Sequence, residues 1–182
     1  MPKNDNAHSL RLTESIRQYA GEEKAAAFEQ QHPLSKAATP EKKWIWAEDA
    51  CHFLEEQFDD DTILSIRKAC RCNDGKTIAQ KLLGYLRQAG SLEQLVQAFN
   101  ANESFAALEY ISEKKLRFCY PQCYCACVKR VPGLLPKAWC YCTLGNAEGI
   151  FKEVFRREDL KLTLAESIKT GGKRCVIEIE LP

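Results

Sequence analysis

The stretch LKLTLAESIKTGGKRCVIEIEL, residues 160–181, decides the fold class. Leu160, Leu162 and Leu164 alternate with Lys161 and Thr163, and Cys175, Ile177, Ile179 and Leu181 alternate with Val176, Glu178 and Glu180. A period of two is the mark of a strand with one buried face. Between the two runs stands Thr170-Gly171-Gly172-Lys173, a turn signal. The stretch therefore predicts an antiparallel hairpin with Cys175, Ile177 and Ile179 facing inward, because a slip of one residue would bury Glu178 instead.

Working back from the hairpin, Ile150, Phe151, Val154 and Phe155 recur at helical spacing within 139–156, a helix entered through Cys140 to Gly145. Upstream, Leu116, Phe118 and Tyr120 alternate with Arg117 and Cys119, and Pro121 limits that strand. Before Glu113 the pattern is helical. Thr39-Pro40 reads as an N-cap with proline at the first helical position, followed by the stripe Trp44, Ala47, Cys51, Leu54 and Phe58. Asp59 to Asp61 cap a short helix with Ile63, Ile66 and Cys70 on one side, and Thr77 to Ala89 form another that stops at Gly90. Ser91 and Gln94 have capping-box spacing before Leu95, Val96 and Phe99. The expected fold is α+β: an N-terminal helical bundle over 1–112 packed on a cysteine-rich C-terminal region over 113–182, with an antiparallel sheet and a long helix, together one compact unit.

Composition narrows the partners. Twenty-six Lys and Arg against twenty-five Asp and Glu leave a net charge of +1, so no global field recruits nucleic acid or an anionic membrane. The first thirty residues hold no apolar core of a secretory leader, and no stretch approaches the roughly 18 apolar residues of a membrane span. These readings place the protein in the cytoplasm, where the reducing milieu turns ten cysteines away from a disulfide framework.

Six of those thiols, Cys119, Cys123, Cys125, Cys127, Cys140 and Cys142, fall within twenty-four positions. Thiolates are preferred ligands for zinc and for iron–sulfur clusters, and Lys129, Arg130 and Lys137 lie close by in sequence. If 123–127 is extended, its three cysteines share a face; if it is a helical turn, only Cys123 and Cys127 do. Neither Cys-x-Cys pair is a zinc-ribbon knuckle, and no histidine falls nearby. The expected metal set is Cys123, Cys125, Cys127, Cys140, Cys142 and Cys175, with zinc as the ion and an iron–sulfur cluster as the other candidate. Free cysteine is also a small hydrophobe, and Cys51, Cys70 and Cys72 read as buried packing. His8 reads as part of a loose terminus, while His32 and His52 read as structural. Gly145 and Gly149 read as a close-packing device on the helix.

The run WCYCTLGNAEGIFKEVFRRE, residues 139–158, together with residues 162–181 of the hairpin, resembles the end of vinyl-reductase-type ligand-binding domains and aminothiazoline carboxylate hydrolase-like proteins. The matching features are a cysteine before a helix with Gly145 and Gly149, then a strand, Gly171-Gly172, and Cys175 opening a final strand; they cover Leu116 to Leu181. The resemblance implies an α+β sensor fold with zinc beside a small-molecule pocket. On it, Cys140 or Cys142 would take the first ligand position and Cys175 the last. Ser167 falls where the middle cysteine would stand, and Cys123, Cys125 or Cys127 would have to replace it. Cys175 is accordingly expected beside Cys140 or Cys142 and one of the 123–127 thiols.

Three functions follow as expectations: a small-molecule-binding or sensor-like domain with a cysteine-based metal or reactive-thiol site; a hydrolase acting on a cyclic C–N or C–S substrate through a thiolate or metal-bound water; and a thiol redox protein. A homodimer is compatible with each.

Overall fold

The computed structural model describes residues 3–182, which divide into two compact units interleaved along the chain. One holds the chain up to Cys72 together with Tyr124–Gly145; the other holds Asn73–Cys123 and Asn146–Pro182.

The first unit contains α1 (Ala7–Ala20), α2 (Glu22–Gln31), α3 (Pro40–Gln57) and α4 (Asp60–Ala69), followed after the excursion into the second unit by a 3-10 turn over Lys137–Cys140 and the start of α7 (Tyr141–Phe155). The caps are those the sequence predicts. Thr39 accepts from the Lys42 N–H, with Pro40 in the first turn of α3, and Asp59 accepts from Thr62 at the start of α4. The α3 stripe buries Ala47, Cys51 and Leu54 fully. Trp46 and Phe53 on its flank join Phe28 and His32 in a ring cluster, and Trp46 meets Trp139 edge to face at 5.9 Å. His32 is thus structural, stacked on Phe28 at 5.3 Å. His8 is not in a loose terminus: it lies in α1, whose first turn is capped by the Asn6 side chain.

The second unit contains α5 (Lys76–Gln88), α6 (Leu92–Asn102), β1 (Ala107–Ser112), β2 (Lys115–Tyr120), β3 (Lys161–Glu166), β4 (Cys175–Glu180) and the body of α7. Ser91 caps α6 by accepting from Gln94, while the Gln94 side chain accepts from Gly90. All strand pairs are antiparallel, in the order β1-β2-β4-β3. Residues 107–112, expected to be helical, form the edge strand β1. Its Leu108 pairs with Phe118, which pairs with Ile177, which pairs with Leu164, and all four are buried. Full burial of each such side chain contributes roughly 1.5–3 kcal/mol, which pins the register. Rings from Phe99 on α6 and Phe151 on α7 cover Phe118 at 6.2 and 5.4 Å.

The opposite face is charged. Glu109, Arg117 and Glu178 stand opposite one another across three strands, and Arg117 bonds Glu178 at 2.7 Å. Among the described residues, no helix is long and apolar enough to cross a membrane.

Candidate functional site

The expected metal set is distributed over both units. Cys125, Cys127, Cys140 and Cys142 belong to the first, Cys123 and Cys175 to the second. Among the described residues, no three His, Cys, Asp or Glu side chains are grouped so as to hold a metal ion. The expectation of zinc, or of an iron–sulfur cluster, is therefore corrected: among the described residues the cysteines do not form a group that could hold an ion. Cys127 shows why. It is buried, donates to the Lys43 carbonyl at 3.7 Å, and is pushed up to about 12 by that burial, so it is a neutral packed thiol.

What the first unit does assemble is a set of thiols around a buried cation. Arg67 lies on α4 between Ile63, Ile66 and Cys70, and is only 2% exposed. Its guanidinium donates to the carbonyls of Ala138 at 3.3 Å and Trp139 at 2.6 Å, and lies over the Trp139 ring at 4.4 Å. Among the described residues no carboxylate pairs with it. Burial opposes its charge, but Cys70, Cys142, Cys51 and Cys125 act in the other direction, and the balance leaves it firmly protonated. The same cation partly offsets the effect of burial on Cys70 and Cys51, whose thiols nevertheless stay above their ordinary value, Cys51 at about 12.

One pair behaves differently. Cys142 holds the Cys72 thiol below its ordinary value against the opposing effect of burial, with Arg11 helping. Cys72 and burial together push Cys142 well above it. The Cys142 thiol donates to the Trp139 carbonyl at 3.6 Å, an oxygen that also accepts from Arg67. Cys72 is exposed and Cys142 partly so, which makes Cys72 the accessible member of the pair.

Local structure explains the meeting. α4 ends at Ala69 with Cys70 as its C-cap, and the chain turns so that Cys72 follows immediately. Gly145, in the first turn of α7, lies so close to the Lys68 carbonyl that a Cβ there would collide with the α4 backbone. Helix spacing puts Cys142 on the same side of α7 as Gly145, so the contact that needs glycine also delivers Cys142 to the end of α4. Cys125 completes the surroundings. Burial raises its thiol, Cys142 acts in the same direction, and the backbone N–H groups of Cys127 and Val128, with the Trp139 indole, oppose them. The indole N–H itself is buried without closing a hydrogen bond of ordinary geometry.

Sequence reading took Cys72 for buried packing and passed over Arg67 and Arg11. A signal for Arg67 was present: position 67 falls within the apolar stripe of α4, where a guanidinium is costly unless its surroundings are built to receive it. Cys51 and Cys70 are buried, as read.

A protein-family model described as a family of unknown function, DUF6144, matches residues 2–182. The chain belongs to the DUF6144 family. Because that match takes in the whole stretch from Leu116 to Leu181, it replaces the resemblance to vinyl-reductase-type and aminothiazoline carboxylate hydrolase-like domains. The features that carried the resemblance have local causes instead. Gly145 answers the approach of Lys68, Gly171 has a positive φ, and Gly172 leaves space that Glu166 and the Ser167 carbonyl occupy. No curated protein matches this DUF6144 chain. It is similar in structure to an H-NOX protein from S. oneidensis solved in the Fe(II)NO ligation state, with 12% identity, a TM-score of 0.46, and 98% of this chain and 99% of that one covered. An H-NOX domain from Shewanella oneidensis in the Fe(II)CO state gives 12% identity and a TM-score of 0.45, covering 97% of this chain and 98% of that one. Likeness at that level transfers neither ligand nor site.

Proposed function

We propose that this protein is a thiol-based binding and sensing module, in which Cys72 is the group that reacts with a small molecule and Cys142 is its partner. The observation that carries the reading is the exposure of Cys72 just past the end of the helix that carries the buried Arg67, with Cys142 holding its thiol below the ordinary value. A thiolate, not a thiol, is the nucleophile, so an accessible sulfur held below the ordinary thiol value is the one to react first at neutral pH. Burial keeps Cys51, Cys70 and Cys127 protonated and out of reach, so the thiols divide into reactive and inert classes. A reducing, cytoplasmic compartment is where such a dithiol would rest in the form described.

The test is brief alkylation of the native protein with iodoacetamide below one equivalent, followed by peptide mass spectrometry. Cys72 should carry the label first, with Cys51, Cys70 and Cys127 modified only after denaturation. Labelling of Cys72 no faster than that of Cys51 would overturn the reading.

A further inference from the structure

Twenty-five of the 182 residues are Asp or Glu, yet none falls between Glu113 and Glu148. The part of that acid-free run that belongs to the first unit, Tyr124–Gly145, carries Lys129, Arg130 and Lys137. Folding lays it along the start of α3. The Cys127 thiol donates to the Lys43 carbonyl at 3.7 Å, and the Trp139 ring meets Trp46 at 5.9 Å. Between these contacts Gly133, with a positive φ, lies so close to the Trp44 ring that a Cβ would stand 3.0 Å from it. The contacts follow the same order along both segments, so Lys42 and Lys43 join Lys129, Arg130 and Lys137 about the first turns of α3. Among the described residues none of the five has a carboxylate at ion-pair distance, whereas Arg17, Arg117 and Arg174 elsewhere in the chain are paired. The net charge of +1 conceals this local excess.

The same loop holds an aliphatic side chain in water. Leu134 is 63% exposed, while its neighbour Leu135 is 4% exposed and anchors the loop. Gly133 seated on Trp44, with Pro132 and Pro136 on either side of the leucines, restricts the backbone that presents Leu134. Ile45, next to Trp44 on α3, is 52% exposed. A projecting aliphatic group among unpaired cations suits a partner that is anionic at its surface and apolar just beneath it. An acidic peptide supplies the charge but no apolar layer to receive Leu134, and a single-stranded nucleic acid would call for aromatic stacking surfaces that the tip of this loop lacks.

We infer that the 129–137 loop and the start of α3 form a docking surface for an anionic lipid bilayer, with Leu134 entering the acyl boundary and the five cations facing the headgroups. A cluster of four to eight basic residues is the size that binds phosphatidylserine-bearing surfaces, each cation raising partitioning on the order of fivefold. The attachment is reversible and screened by salt, since the attraction fades over a Debye length of about 8–10 Å.

Flotation of the full chain with vesicles tests this. The protein should float with phosphatidylcholine vesicles containing about 30% phosphatidylserine, and not with phosphatidylcholine alone. It should be released as ionic strength rises from about 0.1 M to about 0.5 M. Lys129→Gln with Arg130→Gln should lower the partition coefficient on the order of twentyfold. The charge-matched pair Arg87→Gln with Lys161→Gln, on exposed positions of the second unit, should keep it. Leu134→Ser should lower it on the order of fivefold without changing the salt dependence. Equal binding to the two kinds of vesicle, or equal losses in the two double variants, overturns the surface. Binding to polyglutamate or to single-stranded DNA as tight as to the anionic vesicles, with Leu134→Ser indifferent, overturns the lipid and gives the patch to a soluble polyanion.

Discussion

Cys142 is the group that lowers the Cys72 thiol most. A neighbouring thiol that stays protonated favours the ionised form of the sulfur beside it, since hydrogen bonds to charged groups exceed neutral ones. Removing the donor must therefore move Cys72 upward. In Cys142→Ala, the midpoint of the pH profile for Cys72 alkylation should rise toward the ordinary thiol value and the rate at pH 7 should fall. In Cys142→Ser, where a hydroxyl can still donate, the midpoint should stay near that of the parent. A midpoint that is the same in parent and alanine variant would mean that Cys142 does not reach the thiolate. Cys51 offers the contrast at the same scale. It is fully buried and pushed up to about 12, so its sulfur acts as a hydrophobe, although it belongs to the same unit and feels the same arginine.

At the scale of elements, the site depends on one helix-to-helix approach. The first turn of α7 meets the last turn of α4 backbone to backbone, and Gly145 is the residue that permits it. The steric partner is a carbonyl in a helix, which cannot swing aside as a side chain would. Gly145→Ala should thus cost about 1–3 kcal/mol of stability by overpacking, measured by urea unfolding, and should also slow alkylation of Cys72 at neutral pH by displacing Cys142. A variant that is destabilised but alkylated at Cys72 at the parental rate would show that the approach serves packing alone. The second unit has its own version of this economy. A row of Leu108, Phe118, Ile177 and Leu164 on one face, backed by the Glu109, Arg117 and Glu178 row on the other, leaves a register slip no favourable outcome.

For the molecule as a whole, the buried thiols set an alkaline limit. Burial pushes Cys51 and Cys127 up to about 12 and Cys119 to about 11, from an ordinary value of 9.0. A group whose value is raised on folding contributes stability that is fully present below the unfolded value and is lost as pH rises through the folded one. Stability followed by thermal or urea unfolding should therefore be flat up to about pH 9 and decline between there and about pH 12. Replacing Cys51 and Cys127 with alanine should shrink that decline, at the cost of the lost packing. An unchanged alkaline limb in the double variant would place its cause elsewhere.

Much of this architecture is readable from residue order because its causes are local. Period-two alternation across 160–181 dictates the hairpin, Thr39-Pro40, Asp59 and Ser91 announce helix starts, and the α3 stripe declares its buried face, all through interactions spanning a few residues. The edge strand 107–112 was not legible, since an edge strand takes its identity from the neighbour it pairs with, and Leu108 finds Phe118 only once the sheet exists. The candidate site lay further out of reach. Its parts come from α1, the end of α4 and the start of α7, so Arg11, Arg67, Cys72 and Cys142 share no spacing that a sequence could display. Cysteine density between Cys119 and Cys142 was legible in the sequence, but density along the chain does not say which sulfurs lie together. Which sulfurs meet is decided by helix packing, through a glycine that lets two backbones touch, and by desolvation, which silences most of the thiols and leaves one exposed.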